Sequence, residues 1–291
     1  MSTKRIVFGA VALASLALPG GALEAQLPPH LRDYPLASLR KSGDLVAPFF
    51  DGWIDNGDGT VTYSFGFMNR NTEEIVDIPL GPDNHIEPAE FDGRQPSHFP
   101  VYDRRGFRGK RERGVFGVTV PKGQEVVWTL SHAGHSYSVP GRATSTAYEL
   151  SAGAAAFGSL RPAVRFDPEG PETVGPEGLW AAPVTARVGT PVTLTALVQD
   201  RGVRERYETE RDVYPVTAAW IWHRGPAEID FSNPSELVEG EGWGAATTQA
   251  TFSEPGEYVV RLRIDNFLAE DSGFDYVCCW SNAYVPVTVT P

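Results

Sequence analysis

Residues 250–266 read ATFSEPGEYVVRLRIDN, and the fold class follows from them. A run ending at Phe252 stops at Ser253-Glu254-Pro255-Gly256, a turn composition. Tyr258, Val260, Leu262 and Ile264 then alternate with Val259, Arg261, Arg263 and Asp265. A period of two marks a half-buried strand. Working outward, the pattern repeats over residues 184–188, 191–198, 216–223, 228–231, 246–252, 258–264 and 283–290, with turn signals between. Short strands at this spacing make a sandwich.

A strand, a Pro-Gly turn and Gly-x-Tyr opening a long strand resemble the E–F corner of immunoglobulin-like sandwiches. There a tyrosine near the start of strand F bonds back to the backbone. The wording is similar to the PKD type, with phenylalanine, Pro-Gly, tyrosine, alternating valines and Asp265-Asn266. Where an antibody domain places its two inter-sheet cysteines, this chain has Ala196 and Val260. That departure points to PKD-type and related bacterial modules. Trp220 or Trp222 matches the buried strand C tryptophan, and one of them is expected to point inward. The resemblance covers residues 181–291.

The two cysteines, Cys278 and Cys279, are adjacent and followed by Trp280. Neighbouring α-carbons lie ~3.8 Å apart, short of the usual disulfide span of ~4.4–6.8 Å. Three readings stand: a vicinal disulfide shaping the loop, a thiol pair with one member buried, or bonds to another chain. With the vicinal bond, the ring and Trp280 together would offer a ligand an apolar platform.

Residues 151–180 are rich in Pro and Gly, which stop helices and strands alike, and are read as a linker that includes a short strand near Val164-Arg165-Phe166. Before it, residues 46–150 form a first sandwich. Its opening wording is PFFDGWIDNGDGTVTYSFGFMN, residues 48–69, in which Val61, Tyr63, Phe65 and Phe67 share one strand face. Trp128 shares a face with Val126 and Leu130 and is expected in the core. Residues 26–45 are a leader. This opening wording and CCWSNAYVPVTV at 278–289 together look like a group of exported bacterial proteins to which no activity is attached, and the resemblance transfers no catalytic residue.

Met1 opens a basic head, Lys4 and Arg5, then an apolar run and small residues up to Ala25. This is the layout of a cleaved secretory signal over residues 1–25. A membrane span needs ~20 apolar residues, more than this run supplies. The expected place is the periplasm or the extracellular space, with no integral membrane segment after cleavage. Removing Lys4, Arg5 and Glu24 takes the formal charge from −12 to −13. Phosphate neutralisation needs a basic face, so nucleic acid is excluded as a general partner. Thirty glycines and twenty-four prolines, with many Val, Thr, Tyr, Phe and Trp, complete the all-β reading.

Besides Trp280 and the cysteine pair, candidate site residues fall in four places. Asp55 and Asp58 cluster oxygens of the kind calcium prefers, although hairpin turns are rich in Asp, Asn and Gly in any case. Arg104, Arg105, Arg108 and Lys110 lie in a basic run that extends to Arg113 and offers a contact for acidic partners. His132 and His135 flank Ala-Gly, a weak metal signal without a third ligand. Glu87, Glu90 and Asp92 lie in the loop from Asp83 to Asp92, where carboxylates could serve glycoside hydrolysis. No nucleophile elbow, zinc helix pair, phosphate loop or dinucleotide fingerprint occurs in the sequence. The expectation is an exported, non-enzymatic binding or structural module needing no cofactor and meeting protein or glycan surfaces. The alternative is a secreted polysaccharide hydrolase.

Overall fold

The computed structural model describes residues 38–102, 111–150, 158–202, 216–240, 242–266 and 279–291. The stretches read as a signal and as most of a leader lie outside the described residues. Leu39–Pro291 is one compact unit, built as two β-sandwiches with separate apolar cores.

In the first sandwich, β1 (Val46–Asp55), β2 (Thr60–Asn69) and β6 (Arg111–Pro121) make one antiparallel sheet in that order. The opposing sheet is β4 (Asn84–Glu87), β7 (Val126–His132) and β8 (His135–Gly141), and β3 (Val76–Asp77) pairs β5 (His98–Phe99). The expected apolar face of β2, with Val61, Tyr63, Phe65 and Phe67, packs on Ile86, Val126 and Leu130. Trp128 is fully buried, edge-on to Phe116 at 5.0 Å, and its indole donates to Asn84 Oδ1 at 3.0 Å.

In the second sandwich, β9 (Ala163–Arg165), β10 (Thr173–Val174), β13 (Val192–Gln199), β15 (Ile229–Phe231) and β17 (Gly244–Phe252) form one sheet, ordered β10-β9-β13-β17-β15. The other holds β11 (Leu179–Trp180), β12 (Val184–Arg187), β14 (Val216–Arg224), β16 (Ser235–Val238), β18 (Gly256–Asp265) and β19 (Trp280–Thr290). Its order is β11-β19-β18-β14-β16, and β12 runs parallel to β19. Strands β13, β17 and β15 stand in the B, E and D places, and β14, β18 and β19 in the C, F and G places, of an immunoglobulin-like sandwich.

The corner tyrosine behaves as its wording implies. Tyr258 is buried and its hydroxyl donates to the Glu254 carbonyl at 2.9 Å. Ala196 and Val260 are both fully buried in the core. The expectation of a single inward tryptophan on β14 is corrected: residues two apart share a strand face, and Trp222 packs on the same core as buried Trp220. The stretch read as a linker supplies three short strands. β9 pairs β13, β10 pairs β9, and β11 runs parallel to β19. Its prolines interrupt pairing without preventing ladders two or three residues long.

Three strand irregularities set up everything that follows. Phe50 and Gly52 pair with consecutive residues of β2, so Asp51 is an extra, bulged residue. On β6 the register slips between Glu112 and Phe116. On β14, Trp222 and Arg224 pair with Val260 and Val259, leaving His223 bulged. Bulges re-aim side chains out of the alternating pattern. Here they turn Asp51, Gly114 and His223 to the line where the two sandwiches meet.

Candidate functional site

The outer face of the β14-β18-β19 sheet is not wet. Arg261 and Arg263, on β18, reach across to Glu112 of β6 at 2.9 and 3.3 Å, and Arg263 also meets Asp265 at 3.0 Å. Glu112 and Arg261 are each 1% exposed. Two carboxylates and two guanidinium groups sum to no net charge, the condition under which burying ions is tolerable. Half-buried Tyr102 also bonds to Glu112, and the burial of its hydroxyl, reinforced by Glu112, pushes that group well above the usual range.

The backbone of Gly114 is the hub of this seam. Its N–H donates to Asp51 Oδ2 at 2.8 Å, and its carbonyl accepts from Arg261 Nη1 at 3.3 Å and Asn282 Nδ2 at 2.7 Å. Gly114 has φ +61°, and a Cβ there would sit 1.8 Å from Trp280 Nε1. Only glycine satisfies both demands. Asp51 in turn binds Arg111 at 2.6 Å. Burial pushes the Asp51 carboxyl upward, against the pull of Arg111 and the Gly114 amide. Tyr284 donates to the Val115 carbonyl at 3.0 Å, and burial raises its pKa too.

A second set of contacts closes the seam beside the short β3–β5 ladder. His98 stacks on Trp222, ring centroids 3.7 Å apart, and its Nδ1 lies 2.8 Å from Asp77 Oδ1. Ser97 N–H donates to the His223 carbonyl at 3.0 Å. His223 Nε2 lies 2.9 Å from the Arg94 carbonyl, which can only accept, so Nε2 carries the proton. Burial first, then Arg261 and Arg224, hold the His223 pKa well below its ordinary value, and the ring is neutral.

At this end of the seam lies a cleft of about 670 Å³. Pro79 and Leu80 from the first sandwich face Trp180, Pro226, Val259 and Pro286 from the second. Trp180 is 39% exposed and stacks on Tyr284 at 4.7 Å. Asp77, Arg224 and Glu257 are the charged residues of the lining. The volume falls within the ~300–1,000 Å³ usual for small-ligand sites.

The residues singled out from sequence are placed differently. Asp55 accepts from Gly57 N–H at 2.9 Å and meets Lys122, while Asp58 accepts from Thr60 N–H at 3.0 Å. Both carboxylates cap their own hairpin turn, which holds them below the usual range. Among the described residues no group of three or more His, Cys, Asp or Glu is placed to hold a metal. His132 and His135 pair directly across a two-residue turn whose Ala133 and Gly134 have φ 50° and 78°. Glu87, Glu90 and Asp92 are exposed, and Asp92 Oδ1 accepts from Ile86 N–H and Gln95 Nε2.

Arg104, Arg105, Arg108 and Lys110 lie outside the described residues, as does Cys278. Arg111, at the end of the basic run, binds Asp51 and lies over the Phe49 ring at 4.5 Å. Trp280, expected as part of a ligand platform, is 7% exposed and packed against Gly114. Cys279 is fully buried and disulfide-bonded, its sulfur 3.5 Å from the Ser159 carbonyl oxygen. Glu112, Arg261, Arg224 and Trp180 carried no motif. The available signal was a pair of arginines two apart on a strand and a glutamate inside a basic run.

No protein family and no curated protein matches the sequence. Among solved structures, the chain is similar to the D0-D1 domain of intimin, 12% identical, covering 84% of this chain and 97% of that one, with a TM-score of 0.27. It is also similar to the titin Ig tandem domains A164-A165, 12% identical over 84% and 96% of the two chains, TM-score 0.21. The PapD-like domain 7 of human CEP192 is 12% identical over 45% of this chain and 87% of that one, TM-score 0.27. It is the strand order, β9-β13-β17-β15 in one sheet and β19-β18-β14 in the other, that makes the second sandwich immunoglobulin-like. Among the described residues no helix is long and apolar enough to cross a membrane.

Proposed function

We propose that this chain is an exported, non-enzymatic binding module of the bacterial envelope or extracellular space, in which two sandwiches are locked together to present one fixed cleft. The observation that carries the reading is the pairing of a charge-neutral buried seam with an adjoining cleft lined by exposed Trp180. A rigid joint keeps the cleft walls, which come from both sandwiches, at a set spacing, so little ordering is required when a partner binds. Large aromatic side chains that a partner buries are the residues on which binding energy concentrates.

The test is capture from envelope fractions and from glycan and peptide arrays by the mature protein, with Trp180→Ala beside it. Partner retention by the wild type, with loss in the variant at unchanged Tm, supports the reading. Robust turnover in a hydrolase screen, abolished by Glu87→Gln or Glu90→Gln, overturns it in favour of the polysaccharide hydrolase.

A further inference from the structure

Arg224, in the cleft, differs from the arginines of the seam. Arg94, Arg111, Arg261 and Arg263 each meet a carboxylate. Arg224, half-buried and lining the cleft, has no hydrogen-bond or ion-pair partner for its guanidinium among the described residues. Burial pulls its pKa down, and Tyr284 and Asp92 oppose this without a hydrogen bond to it. Its Nη1 sits in the open notch left by Gly93, where a Cβ would be 3.7 Å away. A half-buried guanidinium that lines a cleft and touches no carboxylate keeps its donors available to a ligand's anion.

The rest of the lining narrows what that ligand is. Its walls are proline, leucine, valine and tryptophan. The Tyr258 hydroxyl is committed to the Glu254 carbonyl, and Ser97 is the other hydroxyl of the lining. A sugar brings many hydroxyls, and these walls offer few groups to bond them. Asp77 and Glu257 already accept from His98 and Thr288 and retain acceptor capacity for peptide N–H groups.

Resting on the binding-module reading, we infer that the cleft takes a short apolar peptide segment bearing a carboxylate, with Arg224 as the anion-binding residue and Trp180 and the prolines as the apolar walls. Arginine suits this role because its planar fork matches a carboxylate in two parallel hydrogen bonds.

The experiment titrates acetyl-Pro-Leu-Phe, as free acid and as C-terminal amide, into the mature protein by calorimetry and tryptophan fluorescence. The acid is expected to bind about tenfold or more tighter than the amide, as a hydrogen bond to a charged group implies. That preference should collapse to about equal binding in Arg224→Gln, survive in part in Arg224→Lys, and weaken with added salt. The acid-to-amide comparison on the wild type needs no variant, so a poorly folded substitution does not shield the inference. Equal binding of acid and amide overturns it, as does binding of neither at millimolar concentration. Preference that persists in Arg224→Gln, or tighter binding of a uronic-acid disaccharide than of the peptide, also overturns it. If Trp180→Ala abolishes partner capture while acid and amide bind alike, the binding-module reading stands and this inference alone falls.

Discussion

Replacing Glu112 by glutamine tests the seam with the smallest change of shape. The side chain keeps its size and one acceptor oxygen, yet Arg261 then faces a neutral amide, and Glu112 is the carboxylate it meets among the described residues. At an effective dielectric of about 20, each of the two arginine contacts contributes roughly 4 kcal/mol of attraction, most of it offset by desolvation. What the substitution exposes is the uncompensated buried charge, which costs about 3–5 kcal/mol. For a unit of this size each kcal/mol lowers Tm by roughly 2–4 °C, so the expected fall is about 6–20 °C. Urea denaturation with a fitted slope, alongside calorimetry, measures both quantities. Glu73→Gln, which breaks the exposed pair with Lys41, is the control and should leave Tm nearly unchanged. A loss below about 1 kcal/mol for Glu112→Gln, with native circular dichroism, would refute the view that paired charge holds the sandwiches together.

Other outcomes follow from the same geometry. Gly114→Ala should lose at least about 2 kcal/mol, because positive φ and contact with the Trp280 ring are imposed together; near-wild-type stability would mean the seam is loose there. Unfolded His223 takes up a proton near 6.5 while the folded ring resists it, so its contribution is whole above that pH and is lost as pH falls. Stability should therefore drop by up to about 1.4 kcal/mol per pH unit below that point, and the slope should flatten in His223→Gln. Cys278 and Cys279 are proposed to be bonded to each other: the non-reduced monomer should resist alkylation, and reduction should change Tm little because the closed loop is the smallest possible. A disulfide-linked dimer would refute this. Serine at Arg104, Arg105, Arg108 and Lys110 should weaken salt-dependent binding of acidic partners without moving Tm, and a large stability loss would show those side chains to be part of the fold.

The second sandwich was legible because local chemistry and period agree there. The Pro-Gly turn, Tyr258, and the apolar pair Ala196 and Val260 each sit where their wording implies. The core role of Trp128 was equally readable from alternation with Val126 and Leu130. The seam was not, for a physical reason. Alternation assigns Arg261 and Arg263 to the outer face of a half-buried strand, and whether that face meets water or protein depends on β6, far away in sequence. The bulges that aim Asp51, Gly114 and His223 break the period on which any such reading rests. The burial of Trp280 was hidden for the same reason, since it depends on the notch left by Gly114.

The seam's charges have divided ownership: Glu112 belongs to one sandwich, and Arg261, Arg263 and Asp265 to the other. Sandwich domains strung on flexible linkers can be shuffled, duplicated or swapped one at a time. This pair cannot be, because either half transplanted alone leaves a charge facing a neighbour that does not answer it. The two therefore form a single heritable part, and an engineer grafting the cleft elsewhere must move residues 39–291 together.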